Sequence, residues 1–238
     1  MTSSPTVAVI LPLFNEGPVI ADLVRRMPRG LVAEVIVGDD ASTDDGPRLA
    51  RDAGATVVSH ERRRGAGAAI RSGLFTAREH GHGVAVVMAG NGKDDPAEIA
   101  RVVAPLADGY DYVQGSRFLR GGSFRNLPRS RFLMIKAYTL AFRVLTGFHA
   151  TDVTNGFRAY RLALLDDPRI RLEQDWLDGY ELEYYLHYRA ITLGYRVVEV
   201  PVSKNYIPGK RDYSKMRPVV DWWRGIRPLV YLALRIKR

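Results

Sequence analysis

The stretch Val86-Val87-Met88-Ala89-Gly90-Asn91-Gly92-Lys93-Asp94-Asp95-Pro96 decides the predicted fold, because an apolar run ends abruptly there in small, polar and charged residues. This pattern is typical of a buried strand that leads into a loop, with a new helix beginning at Pro96. An earlier stretch, Glu34-Val35-Ile36-Val37-Gly38-Asp39-Asp40-Ala41-Ser42-Thr43-Asp44, has the same design. Parallel strands of an open α/β sheet end at a common edge, where such sheets bind ligands. We therefore expect the two loops to form one ligand site.

Short apolar runs alternate with helical patterns along the first half of the chain. Asn15 is the expected cap of the first helix, and Asp95 with Glu98 forms the expected capping box of the helix that begins at Pro96. Strict alternation predicts a mostly parallel, doubly wound α/β sheet with right-handed crossovers. The predicted strands are residues 7–11, 35–37, 56–59, 84–88 and 112–114, and the predicted helices between them are 15–27, 47–53 and 66–80.

The second half of the chain has longer helices. The last of them carries Trp222 and Trp223 among basic residues. Such an amphipathic helix fits a membrane interface, and it fits equally well as a cover over the domain with its basic face in water. The predicted elements are helices 129–146 and 178–193, a strand 195–202, a polar flexible loop 211–215 and a C-terminal helix 218–238.

The composition is that of a folded protein that binds anions. Of the 238 residues, 46% are hydrophobic and 26% are charged, and the formal net charge is +9. This charge favours a nucleotide diphosphate or an anionic membrane surface as a partner. Nucleic acid is not an expected partner, because no basic helix, finger or aromatic sheet motif is visible. The chain has no Cys, which excludes disulfides and thiolate nucleophiles. With no signal peptide and no long apolar run, we expect a cytoplasmic protein.

Six motifs follow one another along the chain: 11–16 (LPLFNE), 38–44 (GDDASTD), 65–73 (GAGAAIRSG), 115–118 (GSRF), 152–160 (DVTNGFRAY) and 213–216 (YSKM). In this order they resemble the motifs of the family 2 inverting glycosyltransferases, and more closely those of their dolichol-phosphate mannosyltransferase-like branch. The resemblance implies the nucleotide-diphospho-sugar transferase (GT-A, Rossmann-like) fold, a nucleotide-sugar donor and inversion at the anomeric carbon. We accordingly expect a GT-A domain over residues 1–203, with a nucleotide-sugar half to about 115 and an acceptor half from about 116, followed by a mobile loop and amphipathic helix at 204–238.

The donor is expected to bind at the ends of the first two strands. A strand-end carboxylate accepts hydrogen bonds from a base N–H or a ribose hydroxyl, and the resemblance assigns the base to the second acid of the pair, Asp40. Glycines at 65 and 67 let a diphosphate approach a helix N-terminus, although such a sequence is often only a turn. The resemblance assigns further donor contacts to Pro12, Phe14, Glu16, Arg71, Ser214 and Lys215.

The metal prediction is open. Members of the resembling family usually place Asp-x-Asp where this chain has Ala89-Gly90-Asn91, so the usual carboxylate pair is missing. Mg²⁺ and Mn²⁺ prefer oxygen ligands, which leaves Asn91 and Asp94 as the candidate ligands. Alternatively, Lys93 neutralises the leaving diphosphate as a point charge.

The acceptor decides whether a general base is needed. A phosphate acceptor is already anionic, whereas a hydroxyl acceptor needs a base, for which Asp152, Glu181 and Glu183 are the candidates. Glu181 and Glu183 are two residues apart on a predicted helix and point to different faces, so only one of them would serve. The candidate ligands of an acceptor phosphate are Arg117, Arg131 and Arg158.

We therefore expect a hexosyl- or N-acetylhexosaminyl-transferase that moves a sugar from a UDP- or GDP-linked donor to a polyprenyl phosphate. Such an enzyme would lie peripherally on the inner face of the cytoplasmic membrane. A soluble hydroxyl acceptor, such as a secondary metabolite or glycan intermediate, is the first alternative. A nucleotide-sugar-binding protein with weakened or no catalysis is the second, and a homo-oligomer is open in each case.

Overall fold

The computed structural model describes residues 5–206, 220–234 and 236, and for residues 220–226 it describes the backbone. The strands are β1 (Val7–Leu13), β2 (Val32–Asp39), β3 (Thr56–Ser59), β4 (Val84–Val87), β5 (Tyr112–Ser116), β6 (Ser123–Arg125), β7 (Arg158–Arg161), β8 (Val197–Pro201) and β9 (Ser203–Asn205). The α-helices are α1 (Gly17–Arg25), α2 (Gly46–Asp52), α3 (Ala66–Glu79), α4 (Ile99–Ala107), α5 (Arg129–Thr146), α6 (Glu181–Thr192) and α7 (Val220–Ala233).

Seven of the strands form one sheet in the order β3-β2-β1-β4-β7-β5-β8. All neighbours are parallel except β7, which runs antiparallel to β4 and β5. The mostly parallel α/β sheet predicted from the sequence is therefore confirmed. The sequence did not predict β7, which has four residues, nor β6 and β9, which have three each and pair with one another.

Both faces of the sheet are buried, as expected for a doubly wound sheet. Along β1, Val9 and Leu11 belong to one apolar cluster, whereas Ala8 and Ile10 belong to the other. This division follows the alternation of side chains along a strand. The apolar strand interiors therefore fix the sheet, and the polar residues that follow β1, β2 and β4 are left at its carboxyl edge.

Two predicted helix caps differ from the structure. Asn15 does not cap the first helix, because its Oδ1 accepts the Thr43 N–H and α1 begins later, at Gly17. The predicted capping box is half formed: Asp95 Oδ1 accepts the Ala97 N–H, but the Glu98 carboxylate accepts the Ser203 N–H instead. The side chains of Asn15 and Glu98 thus form hydrogen bonds with residues far away in the sequence, which a local sequence pattern does not reveal.

The C-terminal part of the described chain packs on the domain. The predicted boundary after residue 203 falls within β9 (Ser203–Asn205). Leu229 and Leu232 of α7 are buried, and Arg227 forms an ion pair with Glu181 of α6. In its described part, α7 therefore covers the domain. None of the described helices is both long enough and apolar enough to cross a membrane.

Candidate active site

The site begins at the carboxyl ends of β1 and β2. Leu13 pairs with Asp39, and the Asp40 N–H donates to the Leu13 carbonyl, so the strand tips are tied together. The Asp39 carboxylate accepts the Ser42 N–H and closes the following turn. Phe14 follows β1 directly, and the Arg63 guanidinium carbon lies 4.0 Å from its ring centroid. The aromatic ring and the guanidinium are thus stacked beside the strand tips.

Asp40 is buried and binds the loop that leads into α3. Its Oδ1 accepts the Arg64 N–H at 2.7 Å and contacts His60 Nδ1 at 3.2 Å. Its Oδ2 accepts the Gly65 N–H at 2.9 Å and lies 3.8 Å from Arg63 Nε. The carboxylate therefore holds this loop against the strand tip and lies beside the stacked Phe14 and Arg63. The sequence predicted Asp40, but it did not identify His60 as its partner.

The glycine-rich motif packs against protein rather than lying open to an anion. A Cβ at Gly65 or Gly67 would collide with backbone atoms of residues 177–179, and the Ala68 N–H donates to the Asp178 carbonyl. Arg71 is buried and donates to the Leu172 carbonyl at 3.0 Å and to the Asp178 carboxylate. The predicted diphosphate contacts of these two glycines and Arg71 are therefore corrected to packing contacts. A glycine is needed wherever another group lies tightly against the backbone, whether that group is a protein loop or a ligand.

The loop after β4 lies against the end of β1. A Cβ at Gly90 would collide with the Pro12 carbonyl, and Gly92 has a φ of +74°, a conformation that favours glycine. Asp94 closes the loop, because its Oδ2 accepts the Ala89 N–H at 2.9 Å. The two polar loops predicted to form one site therefore lie on either side of the end of β1, because β1 is the strand between β2 and β4.

The loop does not have the ligand set of a divalent cation. Asp94 is buried, and its Oδ1 bonds Lys204 Nζ at 2.7 Å, so both carboxylate oxygens are engaged within the protein. Asn91 Oδ1 is buried and accepts no hydrogen bond from a described residue, but it is a single neutral oxygen. Mg²⁺ and Mn²⁺ sites use carboxylates, commonly with phosphates and water. Asn91 and Asp94 therefore do not fit the metal-binding role expected for them.

Positive charge gathers at this loop instead. Burial, followed by the charges of Lys204 and Arg131, lowers the pKa of Lys93 to about 8, although Asp94 and Glu16 act in the opposite direction. Lys93 Nζ lies 5.8 Å from the ring centroid of Tyr206, and the guanidinium carbon of Arg131 lies 5.4 Å from the same centroid. Neighbouring positive charges that lower the pKa of an ammonium group also attract a bound anion.

Two of the three predicted acceptor-binding arginines are interior. Arg117 is buried and forms a bidentate pair with Asp152, with Nε to Oδ2 at 2.6 Å and Nη2 to Oδ1 at 2.8 Å. Arg158 is buried and donates to the Val153 carbonyl, among other oxygens. Neither guanidinium faces an open phosphate site, and the predictions for Arg117 and Arg158 are corrected on that ground. Arg131 is partly exposed and lies at the same Tyr206 ring as Lys93 of the loop after β4.

The three predicted general bases are each paired with an arginine. Asp152 pairs with Arg117, and its Oδ1 also accepts the Thr154 N–H. The Glu181 carboxylate is buried against Arg227. Glu183 lies 3.5 Å from Arg158, and its Oε1 accepts no hydrogen bond within the described part of the chain.

The predicted residues that the structure describes fall into two groups. The first group lies at the carboxyl edge of the sheet and comprises Pro12, Phe14, Glu16, Asp40, Lys93, Asp94 and Arg131. Lys204, which the sequence did not single out, joins this first group because it pairs with Asp94 across 110 residues of chain. The second group makes the packing contacts and ion pairs described above and comprises Gly65, Gly67, Arg71, Arg117, Asp152, Arg158, Glu181 and Glu183. Ser214 and Lys215 lie outside the described residues.

Comparison with known proteins gives consistent matches. The model of glycosyl transferase family 2 matches residues 8–167. Polyprenol monophosphomannose synthase of Mycolicibacterium smegmatis is 32% identical over 233 residues, covering 92% of this chain and 86% of that protein. Undecaprenyl-phosphate mannosyltransferase of Micrococcus luteus is 33% identical over 217 residues, covering 88% and 87%.

A solved structure shares the fold. Glucosyl-3-phosphoglycerate synthase from Mycobacterium tuberculosis, in complex with Mn²⁺, UDP and glucosyl-3-phosphoglycerate, matches 99% of this chain and 82% of that chain with a TM-score of 0.71. Because the sequence identity is 23%, the likeness is one of fold alone.

Proposed function

The chain belongs to glycosyl transferase family 2, and from this premise we propose that it is an inverting transferase that moves a sugar from a nucleoside diphosphate donor to a polyprenyl phosphate. The names of two relatives support this acceptor, since one is a polyprenol monophosphomannose synthase and the other an undecaprenyl-phosphate mannosyltransferase. Those names favour a hexosyl group, and the donor is UDP- or GDP-linked.

One observation carries the choice of acceptor: every acid nominated as a general base is paired with an arginine. Asp152 in particular accepts two bonds from the Arg117 guanidinium, so its lone pairs and its charge are already used. A base must lie within hydrogen-bond reach of the proton that it removes. A phosphate acceptor has no such proton to lose. The arrangement therefore favours an anionic acceptor over a hydroxyl.

The chemical step is a direct displacement. An acceptor phosphate oxygen forms the new bond to the anomeric carbon from the face opposite the donor diphosphate. The bond between that carbon and the β-phosphate oxygen breaks, and its electron pair stays on the departing nucleoside diphosphate. No proton needs to move, and the departing group gains one negative charge. Preorganised positive groups stabilise such developing charge.

The protein's own residues have distinct roles in this step. Asp40 accepts from the base or ribose through Oδ2, which among the described residues accepts one N–H, that of Gly65, and Phe14 with Arg63 flanks the nucleotide. Lys93 faces the developing charge from the loop after β4. Arg131 binds the acceptor phosphate, since it is the partly exposed one of the three candidate arginines and lies at the same Tyr206 ring as Lys93. Two anionic groups that must react are thereby held by adjacent cations.

Helix α5 supports a peripheral membrane location. Leu133, Leu140 and Val144 are 67%, 60% and 77% exposed, and their spacing places them along one stripe of the helix. Lys136 and Arg143 are exposed on the same helix. An exposed apolar stripe beside basic residues is the pattern of an interfacial helix that binds an anionic membrane. The expected membrane contact is thus supported by α5 rather than by the described part of α7.

A hydroxyl acceptor is the second candidate, and Glu183 is the residue that favours it. Its Oε1 is buried and accepts no hydrogen bond from a described residue, so it retains a lone pair. If the acceptor were a hydroxyl, this oxygen would be the base.

One experiment separates the two acceptors. The wild type and Glu183→Gln are each assayed with UDP- and GDP-sugars against a polyprenyl phosphate and against the matching free polyprenol in detergent. We expect transfer to the phosphate lipid alone, with Glu183→Gln retaining activity within about threefold. A loss of about 10²-fold or more in Glu183→Gln, with transfer to the free alcohol, would establish the hydroxyl acceptor instead.

A further inference from the structure

The loop after β4 and strand β9 place two lysines side by side at the position where a cation would be needed. The Asn205 N–H donates to the Lys93 carbonyl at 2.9 Å, which fixes β9 against the loop. Lys204, the preceding residue of β9, points its ammonium into the loop and bonds Asp94 Oδ1 at 2.7 Å. The pairing of β9 with β6 holds this arrangement in place.

Lys204 is positioned by two oxygens and retains donor capacity. Its Nζ bonds Asp94 Oδ1 and Asn155 Oδ1 at 2.7 and 3.0 Å, and an ammonium has three N–H donors. The side chain is 10% exposed, so the charge is held in a largely dry environment. Electrostatic attraction to an anion is stronger there than in water.

Among the described residues, cations outnumber acids around the loop. The cations are Lys93, Lys204 and Arg131, and the acids are Asp94 and Glu16. The Asp94 carboxylate is already paired with Lys204 at 2.7 Å. The lysines at this point would repel a divalent cation and attract a diphosphate.

We infer that Lys93 and Lys204 together bind the donor diphosphate and take the place of the divalent cation. The inference rests on the proposed nucleoside diphosphate donor. Asp94 is then a positioning residue that orients Lys204, instead of a metal ligand. As the bond to the anomeric carbon breaks, the two ammonium groups stabilise the charge that gathers on the β-phosphate.

The test is calorimetric titration of the full chain with UDP and with GDP, in EDTA and in Mn²⁺. We expect the wild type to bind one of the two nucleotides with dissociation constants that agree within about threefold in the two conditions. Lys93→Gln should weaken binding by about 10- to 100-fold in both conditions, the effect of losing a charge-assisted contact to phosphate.

Lys204 needs a balanced variant, because its removal alone leaves Asp94 buried and unpaired. Lys204→Gln with Asp94→Asn removes one positive and one negative charge and keeps hydrogen-bonding groups in both positions. We expect this double variant to lose about 10-fold or more in nucleotide affinity while its melting temperature stays near that of the wild type. The matched control is Lys136→Gln, which removes an exposed lysine of α5 and should leave nucleotide binding unchanged.

The outcomes separate the inference from the proposed function. Binding that requires Mn²⁺ in the wild type would overturn the two-lysine site and leave the transferase proposal standing. The same holds if Lys93→Gln and the double variant bind as tightly as Lys136→Gln. Failure of the wild type to bind either nucleotide in either condition would overturn the proposed function, and this inference with it.

Discussion

Asp40 holds the loop before α3 at the place where we propose that the donor nucleotide binds. Its carboxylate accepts the backbone N–H groups of Arg64 and Gly65, and Oδ2 faces the Arg63 side chain. Asp40→Asn keeps one acceptor oxygen and loses the charge, so we expect the affinity for the donor nucleotide to fall by about tenfold or more. Titration with UDP and GDP measures this change.

Asp45→Asn is the matched control, because Asp45 is exposed at the end of the same loop and pairs with Arg48. It should bind nucleotide as the wild type does. Equal affinities in Asp40→Asn and Asp45→Asn would remove Asp40 from the nucleotide site.

Sequence reasoning found single residues where the chemistry is local. Asp40 follows its own strand, so its position at the edge is visible in the pattern. The pairing of Lys204 with Asp94 spans 110 residues, and that of Arg117 with Asp152 spans 35. A basic residue far along the chain gives no sign of whether a carboxylate will bury it. This is why the sequence suggests Arg117 and Arg158 as ligands of an acceptor phosphate, whereas both side chains are buried among protein partners.

Among the elements, α1 and α2 share one cap. Asp44 Oδ2 accepts the Gly17 N–H at 2.9 Å, and Oδ1 accepts the Gly46 N–H at 3.0 Å, so one carboxylate serves two helix N-termini. Asp44→Ala should therefore lower the free energy of unfolding by about 2 kcal/mol, the upper part of the range for a single cap. Urea unfolding measures the loss. Thr43→Ala, which leaves both caps intact, should cost less than half as much, and a larger loss there would contradict the shared cap.

Helix α5 carries the prediction for the membrane. Replacing Leu140 and Val144 by Glu places two negative charges on the exposed apolar stripe and should weaken binding to phosphatidylglycerol-containing vesicles by about tenfold or more. Cosedimentation measures the bound fraction. Ala100→Glu with Ala104→Glu adds the same charges at the same spacing on exposed positions of α4 and should leave more of the binding intact. Equal losses in the two variants would assign the effect to net charge and not to α5.

Over the whole molecule, the two ends of the sheet have different roles. The carboxyl ends of β1, β2 and β4 lead into the polar loops of the candidate site, and hydrophobic periodicity alone predicts that edge. The opposite end depends on polar contacts among residues far apart in sequence. There Glu34 of β2 accepts from Thr56 at 2.5 Å and contacts His82 Nε2 at 2.7 Å and His80 Nδ1 at 3.0 Å. No periodic pattern predicts such a group, because its members come from separate elements.

This polar group gives a pH-dependent prediction. Burial raises the pKa of Glu34, but the hydrogen bonds from Thr56, His80 and His82, together with the charge of His80, outweigh it, so folding lowers the pKa below its ordinary value of 4.5. Because the pKa is lower in the folded state, the ionised carboxylate stabilises the fold at pH values above 4.5. This contribution is lost as the pH falls through the pKa of the folded state.

Glu34→Gln should therefore be less stable than the wild type by about 1 kcal/mol near pH 6, and the difference should shrink as the pH falls below 4.5 and through the lowered pKa of the folded state. Urea unfolding at several pH values measures it, with Glu79→Gln as the control for an exposed glutamate. Nucleotide affinity should be the same in both variants, because Glu34 lies near the start of β2 and the site lies at the far end of the same strand. A difference in stability that persists unchanged to low pH would show that the Glu34 carboxylate stabilises by shape and not by charge.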